Sequence, residues 1–306
     1  MDSLSRLLAL YPMRTALDVH CHFGAPFLLH QQAVEAGVAP YHLILQGQAR
    51  LAMPGSEELL LQAGDIVVFP HGSAHTLHLE QADAAAAPLY ALPSATPLRR
   101  VSNDGAGPAT DILCGQFTWE PGMSQTLLAS LPPCLLVRTQ GQPHLAGLRA
   151  LMDLLQQEAE QAQPGAATVL AQLSSALFAM LMRAWLAQSV QLPGLFAALA
   201  ERRLQAALQA MLAQPGENWD LPRLAGLCHM SRATFARIFR QVAGTTPAAL
   251  LQQLRMAQAA QWLRHDHRPV ALIGELAGYQ SEAAFNRVFK RSFGMGPGQY
   301  RRTAAA

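Results

Sequence analysis

Two stretches near the end of the chain decide its reading: SRATFARIFRQVAGTTP, residues 231–247, and SEAAFNRVFKRSFGMGP, residues 281–297. Set one above the other, they agree at Ser, Phe, Arg, Phe, a basic residue, Gly and Pro, always 50 positions apart. In the first copy Ser231 suits an N-cap, because its hydroxyl accepts a backbone N–H left free in the first helical turn. Phe235, Ile238, Phe239 and Val242 follow at i, i+3, i+4 and i+7, the buried stripe of an amphipathic helix. The opposite face carries Arg232, Ala233, Ala236, Arg237 and Arg240, basic and small enough for close approach. Upstream, Leu221, Leu224, Ala225 and Cys228 give one apolar face of a shorter helix, and His229-Met230 gives a turn. This is the layout of a helix-turn-helix, whose second helix enters a major groove.

The second copy repeats the design. VALIGELAGYQ supplies the first helix and turn, with Gly278 suited to the sharp bend. Ser281 caps a helix that buries Phe285, Val288 and Phe289 and exposes Glu282, Ala283, Asn286, Arg287 and Lys290. Between the copies, PAALLQQLRMAQAAQWLRHD reads as a helix from Pro247, a residue favoured at a first helical position. A spacer of roughly 18 residues spans about 27 Å, against about 34 Å between successive major-groove faces. Two copies on such a spacer let one chain read two successive groove segments.

Charge divides the chain in the same place. Residues 1–199 hold 8 Arg, no Lys and 14 Asp plus Glu, a net of −6, whereas residues 200–306 hold 14 Arg plus Lys and 6 acids, a net of +8. Only the basic back suits a polyanion. The start, MDSLSRLLALYP, lacks a basic n-region and a long apolar stretch, so no secretion signal is read there. The apolar segment LSSALFAMLMRAWLAQ is short for a membrane span and contains Arg183. These features predict a soluble cytoplasmic protein without membrane partners. Cys21, Cys114, Cys134 and Cys228 lie far apart with no CxxC, giving neither a disulfide framework nor zinc-finger spacing.

The acidic front begins as short strands. YHLILQGQARLAM turns at Gly47, and EELLLQAGDIVVFPHGSAHTLHL gives two apolar runs joined at Ala63-Gly64-Asp65, a pattern of a small barrel or sandwich. Residues 81–110, rich in Ala, Pro, Gly and Ser, read as a flexible insertion before DILCGQFTW resumes as a strand. From His144 the apolar period becomes helical: two helices separated by Pro164-Gly165, then a third from about Leu195 to Leu212. The two long helices need a partner face, which is the barrel, each other or a second subunit.

Within GDIVVFPHGSAH, residues 64–75, the spacing G-x5-P-x-G-x2-H resembles the second cupin motif, and YHLILQG places His42 where the first motif lies. The full first motif, with two His and a Glu in series, is absent, which weighs against the alternative of a cupin metalloenzyme, such as a dioxygenase, fused to a DNA-binding tail. Cys21, His42 and His75 fall on three separate strands, and their thiolate and imidazole groups suit zinc or a similar ion if they converge; otherwise they are barrel-lining polar residues or surface histidines, with Cys21 simply buried.

Residues 200–302 resemble the AraC/XylS family of bacterial transcription regulators, over both helix-turn-helix units and most specifically at GYQSEAAFNRVFKRSFGMGPGQYRR. The resemblance implies base contacts from Ala233, Ala236 and Arg237, then Glu282, Ala283, Asn286 and Arg287, with Arg232, Arg240 and Lys290 as phosphate contacts. Duplex DNA is the expected partner, with RNA polymerase a further one if the protein is an activator, and the apolar helices near 145–188 are expected to support a homodimer. MDSLSRLL, CHFGAPF and YHLILQG look closest to a subgroup that includes a reactive-chlorine-responsive regulator. That likeness implies thiol sensing at Cys21 and Cys114, with His20 and His22 beside Cys21 to stabilise a thiolate. The expected architecture is α+β in two domains. A cupin-like sensor barrel occupies 1–140, a helical linker or dimerisation region 141–194, and an all-α double helix-turn-helix domain 195–306. A regulator, not an enzyme, is expected, gated by a metal, an oxidant or a small molecule.

Overall fold

The structure, a computed structural model, describes residues 2–80, 85–94, 98–119, 125–161 and 163–304. The chain opens with helix α1 (Ser3–Leu10), followed by β1 (Met13–Gly24), β2 (Phe27–Gln31), β3 (Val38–Gln46), β4 (Gln48–Ala52) and β5 (Leu59–Gln62). Then come β6 (Asp65–Val68), β7 (His75–Leu79), β8 (Tyr90–Leu92), β9 (Arg99–Ser102) and β10 (Ala109–Trp119). After α2 (Gln125–Leu128) and β11 (Leu135–Arg138) the chain is helical: α3 (Ala146–Glu160), α4 (Ala166–Gln188), α5 (Gly194–Ala200), α6 (Gln205–Ala213) and α7 (Leu221–Leu227). It ends with α8 (Arg232–Ala243), α9 (Pro247–His265), α10 (Val270–Leu276), α11 (Glu282–Phe293) and α12 (Pro297–Ala304). Two compact units result: residues 13–118 with 132–189, and residues 1–12 and 119–131 with 190–306.

The first unit is the cupin-like one. A seven-stranded sheet in the order β11-β6-β3-β10-β1-β9-β8 and a four-stranded sheet in the order β2-β7-β4-β5 share one apolar core. The first contributes Cys21, Phe23, Ile44, Val67 and Ile112; the second contributes Phe27, Leu51, Leu61 and Leu77. Each buried side chain of this size stabilises by about 1.5–3 kcal/mol relative to exposure. Strand alternation sends Val19, Cys21 and Phe23 into this core and their even-numbered neighbours to the opposite face of the sheet, where His20 is buried as well. Helix α4 packs on β1 and β11, with α3 against it; Thr15 donates to the Ala171 carbonyl at 2.8 Å. At 23 residues α4 is long and apolar enough to cross a membrane, longer than the segment quoted from the sequence. Its Leu170, Leu177, Phe178 and Leu181 are buried in this unit.

Two expectations change. Part of the 81–110 insertion is ordered as β8 and β9: Val19–His22 pairs in parallel with Arg99–Ser102, and the Asn103 side chain exchanges hydrogen bonds with the Gly24 backbone at 2.8 Å. The edge of β1 supplies a template that the Ala/Pro-rich composition conceals. Residues 81–84 and 95–97 of that segment lie outside the described residues. The helix expected over 195–212 is broken: Glu201 leaves α5 with extended backbone and its carboxylate caps the Arg203 N–H at 3.1 Å, starting a 3-10 turn ahead of α6.

In the second unit α9 is the spine. Met256, Ala259, Ala260 and Leu263 of α9 meet Ile273, Phe285, Phe289 and Tyr300. Arg255, on the same helix, holds the loop before α7 by donating to the Pro215 and Glu217 carbonyls, both at 2.9 Å. Gly278 has φ +81°, and a Cβ there would collide with the Gly216 carbonyl and the Arg255 guanidinium. No residue but glycine fits that turn without displacement. Helix α1 belongs to this unit: Leu7 and Leu10 are buried, and Gln261 of α9 donates to the Ala9 and Leu10 carbonyls at 3.1 and 3.2 Å.

Candidate functional site

The two repeated helices are built alike. Ser231 accepts from the Thr234 N–H at 3.2 Å and Ser281 from the Ala284 N–H at 3.3 Å. Gly244 and Gly294 close them with left-handed backbone, φ 67° and 73°. Phe235, Ile238 and Phe239 are buried in α8, and Phe285 and Phe289 in α11. Val242 and Val288 are only half-buried, and Ala243 takes the inner position expected of Val242. Leu221, expected to face inward, is 37% exposed, because α7 is short and packs through Leu224 and Ala225. Before α8, His229 adopts φ 53°, the left-handed turn that a helix-turn-helix requires.

On the outer face of α8, Arg232, Ala233, Arg237 and Arg240 are exposed and Ala236 is half-buried. On α11, Glu282, Ala283, Arg287 and Lys290 are exposed. Asn286 is half-buried and its side-chain oxygen has no hydrogen-bond partner. Each of the ten residues therefore stands on one of two matching faces, with the aromatic stripe behind it. Such faces can set cations against phosphates and short polar groups against base edges.

Inside the barrel the polar groups form a chain. His42 Nε2 lies 2.7 Å from His75 Nε2, and His42 Nδ1 lies 3.0 Å from Cys114 Sγ. His75 Nδ1 donates to the Ser73 carbonyl at 2.8 Å, and its ring stacks on Phe69 at 3.5 Å. Cys114 is also hydrogen-bonded to Cys21. Burial, with His75 beside it, lowers the His42 pKa to about 3, and burial lowers that of His75 to about 4. Both rings are neutral at physiological pH. The Cys21 hydrogen bond and burial raise the Cys114 thiol well above its ordinary value.

This geometry departs from the trio of Cys21, His42 and His75. Strand β10 lies between β3 and β1, so His42 and Cys21 are two strand spacings apart, about 9.5 Å. Cys114, paired in register with His42, fills the gap. Among the described residues no three His, Cys, Asp or Glu side chains gather as a metal-holding group. His20 and His22 do not flank the Cys21 sulfur: alternation turns them to the other face, where His22 Nδ1 meets Asp111 Oδ1 at 2.7 Å. Cys114 is expected only through family likeness, as a second sensing thiol, and nothing in the sequence places it beside Cys21. Its signal was an inward position on a strand whose place in the sheet was unknown.

Comparison with known proteins agrees with both units. A family described as Cupin matches residues 2–187, and one described as Helix-turn-helix domain matches residues 224–303. The "RCS-specific HTH-type transcriptional activator RclR" of Escherichia coli (strain K12) is 36% identical over 302 residues, covering 98% of this chain and 97% of that protein. An "Uncharacterized HTH-type transcriptional regulator" of Haemophilus influenzae is 32% identical over 306 residues, covering all of both chains. Among solved structures, the DNA-binding domain of AdpA in complex with a target DNA is 30% identical over 34% of this chain and 93% of that one, with a TM-score of 0.32.

Proposed function

This chain belongs to the AraC/XylS family of transcription regulators, with a cupin domain ahead of the DNA-binding one, and from that membership we propose that oxidation of a thiol pair gates its binding to specific promoter sequences. The family makes it a DNA-binding regulator and not an enzyme. The observation that supports sequence-specific reading is the pair of capped helices with matching length and aromatic stripe, 50 residues apart, each presenting an outer face of its own. In this reading Ala233, Ala236, Arg237, Glu282, Ala283, Asn286 and Arg287 meet bases, and Arg232, Arg240 and Lys290 meet phosphates.

The gate is Cys21 with Cys114. They lie on adjacent strands, joined by a hydrogen bond. A two-electron oxidant of the reactive chlorine class removes two electrons from the pair. Each sulfur loses its proton, one S–S bond forms, and the oxidant leaves as chloride and water. The new bond draws the two sulfurs closer than the hydrogen bond it replaces, which in this reading shifts β1 against β10, and the chain needs only different DNA affinity in the two states to switch. A cytoplasmic homodimer acting on promoter DNA, and contacting RNA polymerase as an activator, fits this reading. A metal in the barrel is not part of it.

The test selects duplexes from a randomised library with the full-length protein. Affinity should fall steeply with salt as arginine contacts release counterions. Arg237→Ala and Arg287→Ala should each cost about 1–3 kcal/mol if they read guanine. Hypochlorite should remove two hydrogen masses and shift DNA affinity in the wild type, and do neither in Cys21→Ser or Cys114→Ser, which keep basal binding. Absence of an enriched motif contradicts DNA reading; an intact response in both serine variants contradicts the thiol gate.

A further inference from the structure

We infer that Glu282 is a specificity filter: it discriminates for cytosine within the segment read by α11, and weakens binding to every other sequence. The inference rests on the proposed DNA reading and assigns one residue a role opposite in sign to its neighbours. The two recognition helices share cap, length, aromatic stripe and left-handed closing glycine, so their differences are confined to the exposed face. At the first helical position one has Arg232 and the other Glu282, both exposed. That is a reversal of charge at matching places, and on α11 it puts the lone acid among Arg287 and Lys290.

A carboxylate at the leading end of a recognition helix is where base edges are read. It is repelled by phosphates, so it cannot serve general affinity. It accepts hydrogen bonds only, and the base edge that presents a donor with no acceptor beside it in the major groove is cytosine's, whereas adenine sets its amino group next to the N7 acceptor that would repel a carboxylate. Among the described residues the Glu282 carboxylate is held by no hydrogen bond or ion pair, so no internal partner competes for it. Asn286, one turn on, has a buried side-chain oxygen without a hydrogen-bond partner and is of the residue type that reads adenine once its amide is turned to the groove. Stabilising the helix dipole is the other use of an acid at this position. Yet α8 folds on the same design with Arg232 there, so the helix does not require it.

The test compares wild type, Glu282→Ala, Glu282→Gln and Arg287→Ala, all full-length, on the randomised duplex library, with random-sequence duplex as the reference for general binding. Expected is loss of a cytosine preference of about 5- to 100-fold at one position in Glu282→Ala, adjacent to the position altered by Arg287→Ala. Glu282→Gln should shift that preference to adenine. Binding of Glu282→Ala to random-sequence duplex should rise severalfold. An unchanged motif in Glu282→Ala overturns the inference. So does a uniform loss of affinity with a lowered melting temperature, the mark of a helix-stabilising role. Failure of the wild type to enrich any motif overturns the DNA reading itself and is distinguishable because it precedes any variant.

Discussion

His42 and His75 carry the clearest consequence at the scale of single residues. Free histidine titrates near 6.5, whereas in the barrel burial holds His42 at about 3 and His75 at about 4. Above about pH 6.5 both states are neutral and no stability is lost. As pH falls from there toward 4, the unfolded chain takes up protons that the folded chain refuses, so stability falls by up to about 1.4 kcal/mol per pH unit for each ring. Urea midpoints should drop between pH 7 and 5, and the drop should be smaller in His42→Gln. Equal pH dependence in the two proteins would contradict the assignment. The sequence placed Cys21, His42 and His75 inside the barrel but misjudged their neighbours. Alternation along a strand can be read from residues 13–24 alone; that β10 inserts between β1 and β3 is a fact of topology and leaves no mark on any one strand.

Among elements, helices were the most legible and the edges of sheets the least. The aromatic spacing in α8 and α11 and the serines before them were enough to place both helices, because cap and stripe are local. Ser231→Ala and Ser281→Ala should each cost about 1 kcal/mol of stability, read from thermal melts, with Gly278→Ala costing more through its collision with Gly216. Strand β9 was hidden because its pairing with β1 is made across some 80 residues and owes little to its own composition. Helices α3 and α4 were expected as a linker or dimerisation region. Their inner faces are spent on β1, β11 and each other, leaving Leu154 at 44% and Val169 at 40% exposure as the outward apolar groups. If these helices pair two copies of the chain, light scattering should give twice the mass of 33.0 kDa, and Leu154→Glu with Val169→Glu should return it to the monomer value.

For the whole molecule, the linear division at 141 and 195 is replaced by a chain that passes between its units four times, after residues 12, 118, 131 and 189. The acidic and basic halves foretold two units but not this interleaving, since net charge has no information on chain path. Two of the crossings concern the strands that bear the thiols. Strand β1, with Cys21, is preceded by α1, which sits on α6 and α9 of the DNA-binding unit. Strand β10, with Cys114, ends at Trp119, whose indole N–H donates to the Tyr11 carbonyl at 3.2 Å in that same unit. If the proposed oxidation shifts either strand, the covalent chain beyond it leads to a segment anchored in the DNA-binding unit. Leu7, wholly buried, is the deepest residue of that anchor, and truncating it to alanine should loosen the seat by about 2–5 kcal/mol. In Leu7→Ala hypochlorite should still remove two hydrogen masses from Cys21 and Cys114, while DNA affinity no longer follows oxidation. A variant that forms the disulfide and keeps the full wild-type change in affinity would show that the signal reaches the recognition helices by another crossing.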